Sequence, residues 1–237
     1  MRIGTAGWTV PRLSSEHFPQ EGSGLERYAA VLNAAEINST FYRSHKPATW
    51  ARWRDTTPAS FRFSAKFPKA ITHAAKLADC DAQVTGFIDE VKQGLGDKLG
   101  PLLVQLPPSL TFDCGVAGEF FEAVRARWAG GLVCEPRHVS WFEPEAEALL
   151  TRFEVARAAA DPARHPDAGA PGGWPGLAYW RLHGSPRMYY SSYEDETLAK
   201  LAKTVRTTAA GEAWVIFDNT TSGAAAANAL TLREMLK

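Results

Sequence analysis

The stretch Leu132–Arg152, LVCEPRHVSWFEPEAEALLTR, contains one complete strand-and-helix unit and guides the interpretation of the whole chain. Its first residues form a short apolar run that ends at Glu135, which is typical of a buried strand with a polar end. Pro144 suits the first turn of a helix, so a helix is predicted over Pro144–Arg152. Another apolar run, Val155–Ala160, follows, so strand, helix and strand succeed one another.

The same alternation of apolar runs and helical stripes extends over the rest of the chain. The strand candidates are Ile3–Ala6, Ala35–Asn38, Phe61–Lys66, Leu102–Gln105, Leu132–Glu135, Val155–Ala160, Leu177–His183 and Trp214–Asp218. Strands that alternate with helices imply a parallel sheet. Eight such units predict an α/β fold of the TIM-type (β/α)8 barrel class, with a doubly wound open sheet as the alternative.

One unit departs from this pattern. Residues Pro162–Gly176 are rich in Pro, Gly and Ala and carry no helical stripe, so a loop is predicted in place of the sixth helix. No repeat or linker is apparent, and 237 residues suit one barrel. Residues 1–237 are therefore predicted to form a single barrel domain.

Composition excludes several classes of protein. Lys and Arg number 26 and Asp and Glu also number 26, which argues against a strongly basic nucleic-acid or membrane binder. No apolar run approaches the roughly 20 residues of a membrane span, and Met1–Gly4 lacks the apolar segment of a signal peptide. Three cysteines without CxxC spacing indicate reduced thiols. We expect a cytoplasmic protein with no membrane partner.

Polar side chains collect at the carboxyl ends of the predicted strands. In a barrel these ends meet at one mouth, which is where barrel enzymes carry out their chemistry. Burial of many such groups costs free energy unless they pair or bind a ligand. The alternative is an ion-pair network that only closes the mouth. The groups concerned are Glu36, Asn38, Ser64, Lys66, Gln105, Glu135, Asp161, Tyr179, Arg181, His183, Asp218 and Asn219.

Loops after the strands carry aromatic and histidine side chains. Trp8, Tyr42 and Trp141 could stack on the ring of a ligand, although packing is the competing explanation for each. His73 and His138 follow strands that end in Lys66 and Glu135. The segment after the last strand, residues 219–223, precedes a helix whose N-terminus could bind an anion or be capped by Ser222.

Ordered sequence blocks resemble the YecE-like family, a domain of unknown function numbered 72. The blocks extend over nearly the whole chain, and they are Gly4–Trp8, Glu36–Tyr42, Lys66 with Ile71–His73, Leu99–Pro101 with Gln105–Pro108, Glu135–His138 with Trp141, Arg181–Gly184, and Asp218–Thr220 with Asn228–Ala229. The resemblance implies a (β/α) barrel and assigns no activity. Asp218 stands where many members have Asn, which adds a charge at the mouth.

The main functional hypothesis is an enzyme or binder that acts without a metal or cofactor on a small anionic ligand, with phosphorylated and cyclic compounds among the candidates. Lys66, Arg137, Arg181 and the N-terminus of the last helix would bind the anion. The predicted catalytic residues are Glu36, Lys66, Glu135, His138 and His183. The predicted ligand-binding residues are Trp8, Asn38, Tyr42, His73, Gln105, Arg137, Trp141, Arg181, Asp218 and Asn219.

Within this hypothesis a carboxylate would act as general base with a histidine partner, or Lys66 would form a Schiff base. Four alternatives stay open. Glu36, Glu135, Asp218 and the histidines could hold a divalent metal in a hydrolase. Glu36 and Glu135 could form a glycosidase-like pair. Loop aromatics and arginines could hold a flipped base of a nucleic acid, although the neutral composition disfavours it. A binding module without turnover is the fourth.

Overall fold

The computed structural model describes residues 1–237 as an α/β barrel built around one ten-stranded sheet. The strands are β1 (Arg2–Ala6), β2 (Ala34–Ile37), β3 (Arg62–Lys66), β4 (Leu99–Gln105), β5 (Leu132–Glu135), β6 (Val155–Arg157), β7 (Ala159–Asp161), β8 (Gly172–Gly173), β9 (Leu177–Leu182) and β10 (Glu212–Phe217). Their order in the sheet is β7-β9-β10-β1-β2-β3-β4-β5-β6-β8. All neighbours are parallel except β6 and β8. The predicted α/β barrel is confirmed.

The strand count differs from the predicted eight because of one divided strand and one added strand. The predicted sixth strand is interrupted at Ala158, so that β6 pairs with β5 and β7 pairs with β9. Residues 155–161 therefore contact both ends of the sheet and nearly close it. The short strand β8 adds antiparallel to β6, with Gly173 opposite Ala156.

Seven α-helices accompany the strands. They are α1 (Gly24–Ala29), α2 (Pro47–Asp55), α3 (Asp81–Leu95), α4 (Cys114–Arg125), α5 (Pro144–Arg152), α6 (Asp195–Thr207) and α7 (Ala224–Met235). Helix α5 has the predicted bounds. No helix combines the length and apolar character that a bilayer span requires.

The loop predicted in place of the sixth helix is confirmed. Between β7 and β9 the chain forms a short 3-10 turn at Pro166–Gly169 and the strand β8, with no α-helix. Two side chains hold this segment against the barrel. Arg157 pairs with Glu147 and donates to the carbonyl of Asp167 at 2.6 Å. Glu147 in turn accepts the N–H of Gly173 at 2.6 Å.

Period-two alternation along the strands separates two apolar cores. In β10, Val215 and Phe217 belong to a large cluster of 51 buried residues that includes the helix side chains. Trp214 and Ile216 belong to a second cluster of nine, which is drawn almost entirely from strands. This second cluster fills the barrel interior. The residues that follow it toward the carboxyl ends of the strands are polar, so the interior has an apolar lower part and a polar upper part.

Helix α3 contains two glycines, and we expect their substitution by alanine to change the stability of the protein in opposite directions. A Cβ at Gly94 would lie 2.5 Å from Cγ of the buried Trp50. Trp50 is fixed there because its Nε1 donates to Oε1 of Glu90 at 2.9 Å. We expect Gly94→Ala to lower the free energy of unfolding by about 1–3 kcal/mol through overpacking.

Gly86 is the matched control because it lies in the same helix with open space around its Cβ position. Gly86→Ala should raise the free energy of unfolding by about 0.5–1 kcal/mol, since alanine loses less backbone entropy in a helix. Chemical denaturation of both variants checks the pair. A Gly94→Ala protein as stable as Gly86→Ala would contradict the packing of α2 against α3.

Candidate functional site

A fully buried arginine lies at the centre of the polar upper part of the barrel. Arg181 in β9 has no exposed surface and contacts three carboxylates. Its Nη2 lies 2.6 Å from Oε1 of Glu36 and 3.1 Å from Oδ2 of Asp218. Its Nε donates to Oε2 of Glu36 at 3.0 Å, and its Nη1 donates to Oε2 of Glu135 at 2.5 Å. One guanidinium thus ties β2, β5 and the end of β10 to β9.

The charges in this cluster hold one another in the ionised state. Burial opposes ionisation of Arg181, but Glu135, Glu36 and Asp218 raise its pKa well above the ordinary value. Burial alone would raise the pKa of Glu135, yet Arg181 and His183 hold it well below the usual range. The pKa of Asp218 is lowered in the same way, mainly by Arg181 against the effect of burial. Fixed charges of opposite sign outweigh desolvation here.

His183 bridges two of the same carboxylates from the end of β9. Its Nδ1 lies 3.0 Å from Oδ2 of Asp218, and its Nε2 lies 3.2 Å from Oε1 of Glu135. Burial favours the neutral ring, but Glu135 and Asp218 raise the pKa of His183 above its ordinary value. With both ring nitrogens facing carboxylate oxygens, the doubly protonated imidazolium is the form that these contacts favour.

Neutral side chains complete the inner face beneath the carboxylates. Gln105 donates Nε2 to Oε1 of Glu135 at 2.9 Å. The hydroxyl of Tyr179 donates to Oε2 of Glu36 at 3.0 Å and also contacts Oγ of Ser64 at 2.9 Å. Strand alternation placed Tyr179 and Ser64 on the inward face, but the predicted site did not include them. Their inward position beside Glu36 was the signal that could have identified them.

Lys66, at the end of β3, is the cation of the mouth that the protein leaves without an acceptor. The residue is 8% exposed, and its Nζ lies 4.2 Å from the centre of the Phe41 ring. No carboxylate lies within ion-pair distance of Nζ. Burial and Arg181 lower the pKa of Lys66 to about 8, against the opposing effect of Glu36, Glu135 and Asp218. The amine therefore changes charge close to neutral pH.

His73 and Arg137 lie beside Lys66 at the rim of the mouth. His73 packs edge-on against Phe41 with ring centres 5.0 Å apart. Burial, Lys66 and Arg137 lower the pKa of His73. Arg137 makes only 3.3 Å contacts with Oε1 of Glu135. The rim near Lys66 is thus a region of positive potential.

Two asparagine side chains lie near Asp218, and they differ in the number of hydrogen bonds that hold them. Asn38 donates Nδ2 to Oδ1 of Asp218 at 3.4 Å, and its own Oδ1 is buried without a partner. Asn219 donates Nδ2 to the carbonyl of Ser191 at 2.8 Å and to Oδ1 of Asn228 at 2.9 Å. The contacts of Asn219 indicate that it supports the last loop. Its Oδ1, like that of Asn38, is buried without a partner.

Four predicted site residues lie outside the ionic cluster. Trp141 is buried and donates Nε1 to the carbonyl of Leu110 at 3.0 Å, so its packing fixes a loop. His138 contacts Oγ of Ser140 at 2.9 Å. Tyr42 is 80% exposed, and its ring lies perpendicular to that of Phe41. Trp8 packs against Trp53, with ring centres 4.9 Å apart, at the wall of a neighbouring cavity.

Hydrogen bonds within the protein engage the loop that leads into α7 and part of its first turn. The N–H groups of Thr221, Gly223 and Ala225 donate to the carbonyls of Tyr189, Thr220 and Asn219. Ser222 donates its hydroxyl to the carbonyl of Tyr190 at 2.5 Å. These contacts hold the loop before α7 and engage the N–H of Ala225, whereas the N–H of Ala226 in the first turn has no acceptor.

The carboxylates that could hold a divalent metal contact cationic side chains of the protein instead. The oxygens of Glu36, Glu135 and Asp218 are directed at Arg181 and His183. No group of three or more His, Cys, Asp or Glu side chains is arranged to hold a metal ion.

The fold and this ionic layer define the class of protein as an α/β barrel with a charged carboxyl-end interior. The family model described as Protein of unknown function DUF72 matches residues 2–237, and the chain belongs to that family. It is 34% identical over 132 residues to the UPF0759 protein YecE of Escherichia coli K12, a match that covers 55% of this chain and 47% of that relative. The matched region thus spans about half the length of this curated relative.

Two solved structures support the fold. A DUF72 family protein of Thermotoga maritima MSB8 superposes with a TM-score of 0.81 at 25% identity, covering 99% of this chain and 98% of that one. A DUF72 family protein of Enterococcus faecalis V583 gives 0.80 at 20% identity, covering 99% and 94%. The barrel observed here is therefore the architecture of experimentally determined relatives.

Removal of the central arginine should unfold the barrel or nearly so. Arg181→Met leaves three buried carboxylates without their shared cation, so we expect a loss of about 3–5 kcal/mol of unfolding free energy. A second substitution, Glu36→Gln, removes one of the carboxylates left without a cation and should restore part of the lost stability. Arg12→Met, at an exposed position, is the control and should change stability by less than about 0.5 kcal/mol. Additive losses in Arg181→Met/Glu36→Gln, measured by denaturation, would contradict the coupling.

His183 should make stability depend on pH. Because its folded-state pKa is raised, its stabilisation is fully present below about pH 6.5 and is lost as the pH rises through the folded-state pKa. We expect the stability difference between wild type and His183→Gln to shrink as the pH rises above about 6.5. Glu135 and Asp218, whose pKa values are lowered, stay ionised over this range. A pH-independent difference, or an equal effect of His17→Gln at an exposed site, would refute the assignment.

Proposed function

We propose that the carboxyl end of the barrel binds a small anionic ligand and that Lys66 is the cation that receives it. The observation that carries this proposal is that Lys66, only 8% exposed, has an ammonium group with no hydrogen-bond acceptor or ion-pair partner within the protein. Burial of a charge without a partner costs free energy, so a protein that retains one gains from a ligand that supplies the missing acceptor. An anionic group at Nζ meets that requirement.

The charge balance of the mouth supports an anion over a cation. Glu36, Glu135 and Asp218 already accept from Arg181, and the last two also contact His183. When His183 is protonated, four cations face these three carboxylates: Arg181, His183, Lys66 and Arg137. The unbalanced positive charge lies on the Lys66 side, where His73 and Arg137 form the rim. We assign Arg137 as the second ligand-binding cation.

Arg181 has a different role in this proposal from the one that the strand pattern suggested. Its donors face three carboxylates, and the side chain has no exposed surface. We therefore assign it as the positioning residue that holds the carboxylates, not as a direct contact of the ligand.

For a catalytic role, Lys66 is the group best suited to move a proton. Its pKa of about 8 lets the amine gain or lose a proton near neutral pH. Glu135 is a weaker base, because Arg181 and His183 hold its pKa well below the usual range. The function that we propose is thus an anion-binding barrel in which Lys66 both binds the ligand and acts as acid–base group.

Thermal melting with a panel of small anions tests this proposal. The panel contains phosphate, sugar phosphates, nucleotides and small carboxylic acids, each with and without divalent metal and chelator. An anion that binds the folded state at about 100 times its Kd adds about 2.7 kcal/mol of stability. We expect a stabilising anion that acts without added metal and loses its effect in Lys66→Met.

The variant should itself fold, since methionine is unbranched, only one atom shorter than lysine, and removes a mostly buried charge that has no ion-pair partner. Its melting temperature without ligand should equal or exceed that of the wild type. Lys203→Met on α6 is the matched control, because that lysine is exposed and lies outside the mouth. If every stabilising anion keeps its full effect in Lys66→Met, or if stabilisation requires metal, the assignment of Lys66 is refuted.

A further inference from the structure

A cavity of about 690 Å³ lies beside the barrel mouth and is separate from the ionic cluster. It is formed by the loop after β1, the loop after β2 and the first part of α2. Trp8 and Trp53 form part of its wall, and Trp53 also packs against His45 with ring centres 4.8 Å apart. The two packed tryptophan rings give the cavity one rigid wall, and exposed polar side chains form the rest of it.

The charge of this cavity is uniformly positive. Arg43, Lys46 and Arg52 line it, and no Asp or Glu does so. The side chains of all three cations are exposed and form no ion pair with the protein. The nearby Glu90 does not neutralise them, because it accepts from Oγ of Ser44 at 2.6 Å and from the N–H of His45 at 2.8 Å on the neighbouring loop. A chain without net charge thus concentrates three cations around one cavity.

The backbone adds to this positive potential. Helix α2 begins at Pro47, and its N-cap residue Lys46 provides no side-chain acceptor for the first turn. The side chain of Thr49, in that first turn, lines the cavity. The amino end of a helix carries partial positive charge, which favours an anion nearby. This contribution reinforces the three side chains and would not make a site without them.

Asn38 connects the cavity to the barrel mouth. The residue lines the cavity, and its Nδ2 donates to Oδ1 of Asp218 in the ionic cluster. Its Oδ1 is buried and has no partner in the protein. The side chain of Asn38 thus separates the cavity from the ionic cluster.

We propose that the Arg43–Lys46–Arg52 cavity binds the phosphate group of a small phosphate monoester, whose remaining part reaches the barrel mouth. The arrangement of two arginines and a lysine suits a dianion, because guanidinium groups bind phosphate oxygens in pairs and lysine adds a point charge. The second half of this statement rests on the proposed function of the mouth, while phosphate binding by the cavity does not. A nucleic-acid backbone offers the same group, but the cations surround one concave site and do not form a stripe.

The first experiment uses inorganic phosphate as the probe. Titration into protein with 15N-labelled arginine follows the Nε–H resonances of Arg43 and Arg52, with chloride at equal ionic strength as the reference. We expect saturable shifts of these two resonances with phosphate and none with chloride. The double variant Arg43→Gln/Arg52→Gln should weaken phosphate binding at least tenfold by calorimetry, while Lys203→Gln leaves it unchanged. Shifts that do not saturate, or that chloride reproduces, would overturn the proposal.

A second experiment identifies the rest of the ligand. Glycerol phosphate and glucose phosphate should bind at least tenfold more tightly than inorganic phosphate if the ligand also contacts the mouth. Lys66→Met should remove that gain. Phosphate binding without any gain from the esters would refute the extension into the mouth while the cavity assignment stands. Tighter, strongly salt-dependent binding of a single-stranded oligonucleotide would assign the phosphate to a nucleic acid and overturn the small-ligand proposal.

Discussion

The salt-bridge network of Arg181 is the interaction on which the upper half of the barrel depends. One guanidinium without exposed surface satisfies carboxylates from three other strand ends. Such a group is retained only when every donor finds an acceptor, because an unpaired charge at this depth would cost several kcal/mol. The network therefore fixes the relative positions of β2, β5, β9 and β10 at the point where their carboxyl ends converge. Gln105 and Arg137 are held against this base by their contacts with Glu135.

The barrel and its polar end were predictable because both follow from short-range periodicity. Apolar runs of four to six residues with polar carboxyl ends are visible without any knowledge of tertiary contacts, as in Leu132–Glu135. Alternation then assigned Glu36, Lys66, Glu135 and Arg181 to one face, and the structure brings these four together. The divided sixth strand was less clear, since its alanines suit a helix as well, and its break at Ala158 depends on pairing with two different neighbours.

The roles of individual side chains were harder to predict than their positions. Arg181 and Lys66 are both cations at strand ends, yet three carboxylates surround one and none pairs with the other. That difference arises from distances between strands far apart in sequence. Loop residues were harder still, because a loop has no periodicity to fix its direction. Trp141 follows a strand as a ligand-stacking residue would, but its indole N–H bonds to the carbonyl of Leu110.

The placement of charges along the chain also bears on how the barrel assembles. Glu36 and Glu135 lie in the first five strands, whereas Arg181 and His183 enter only with β9, and Asp218 follows β10. An amino-terminal fragment that stops before β9 would bury two carboxylates with neither of these cations. Such a half-barrel is electrostatically penalised until the carboxyl-terminal strands dock. The buried network thus favours all-or-none folding and discourages the accumulation of partly closed barrels.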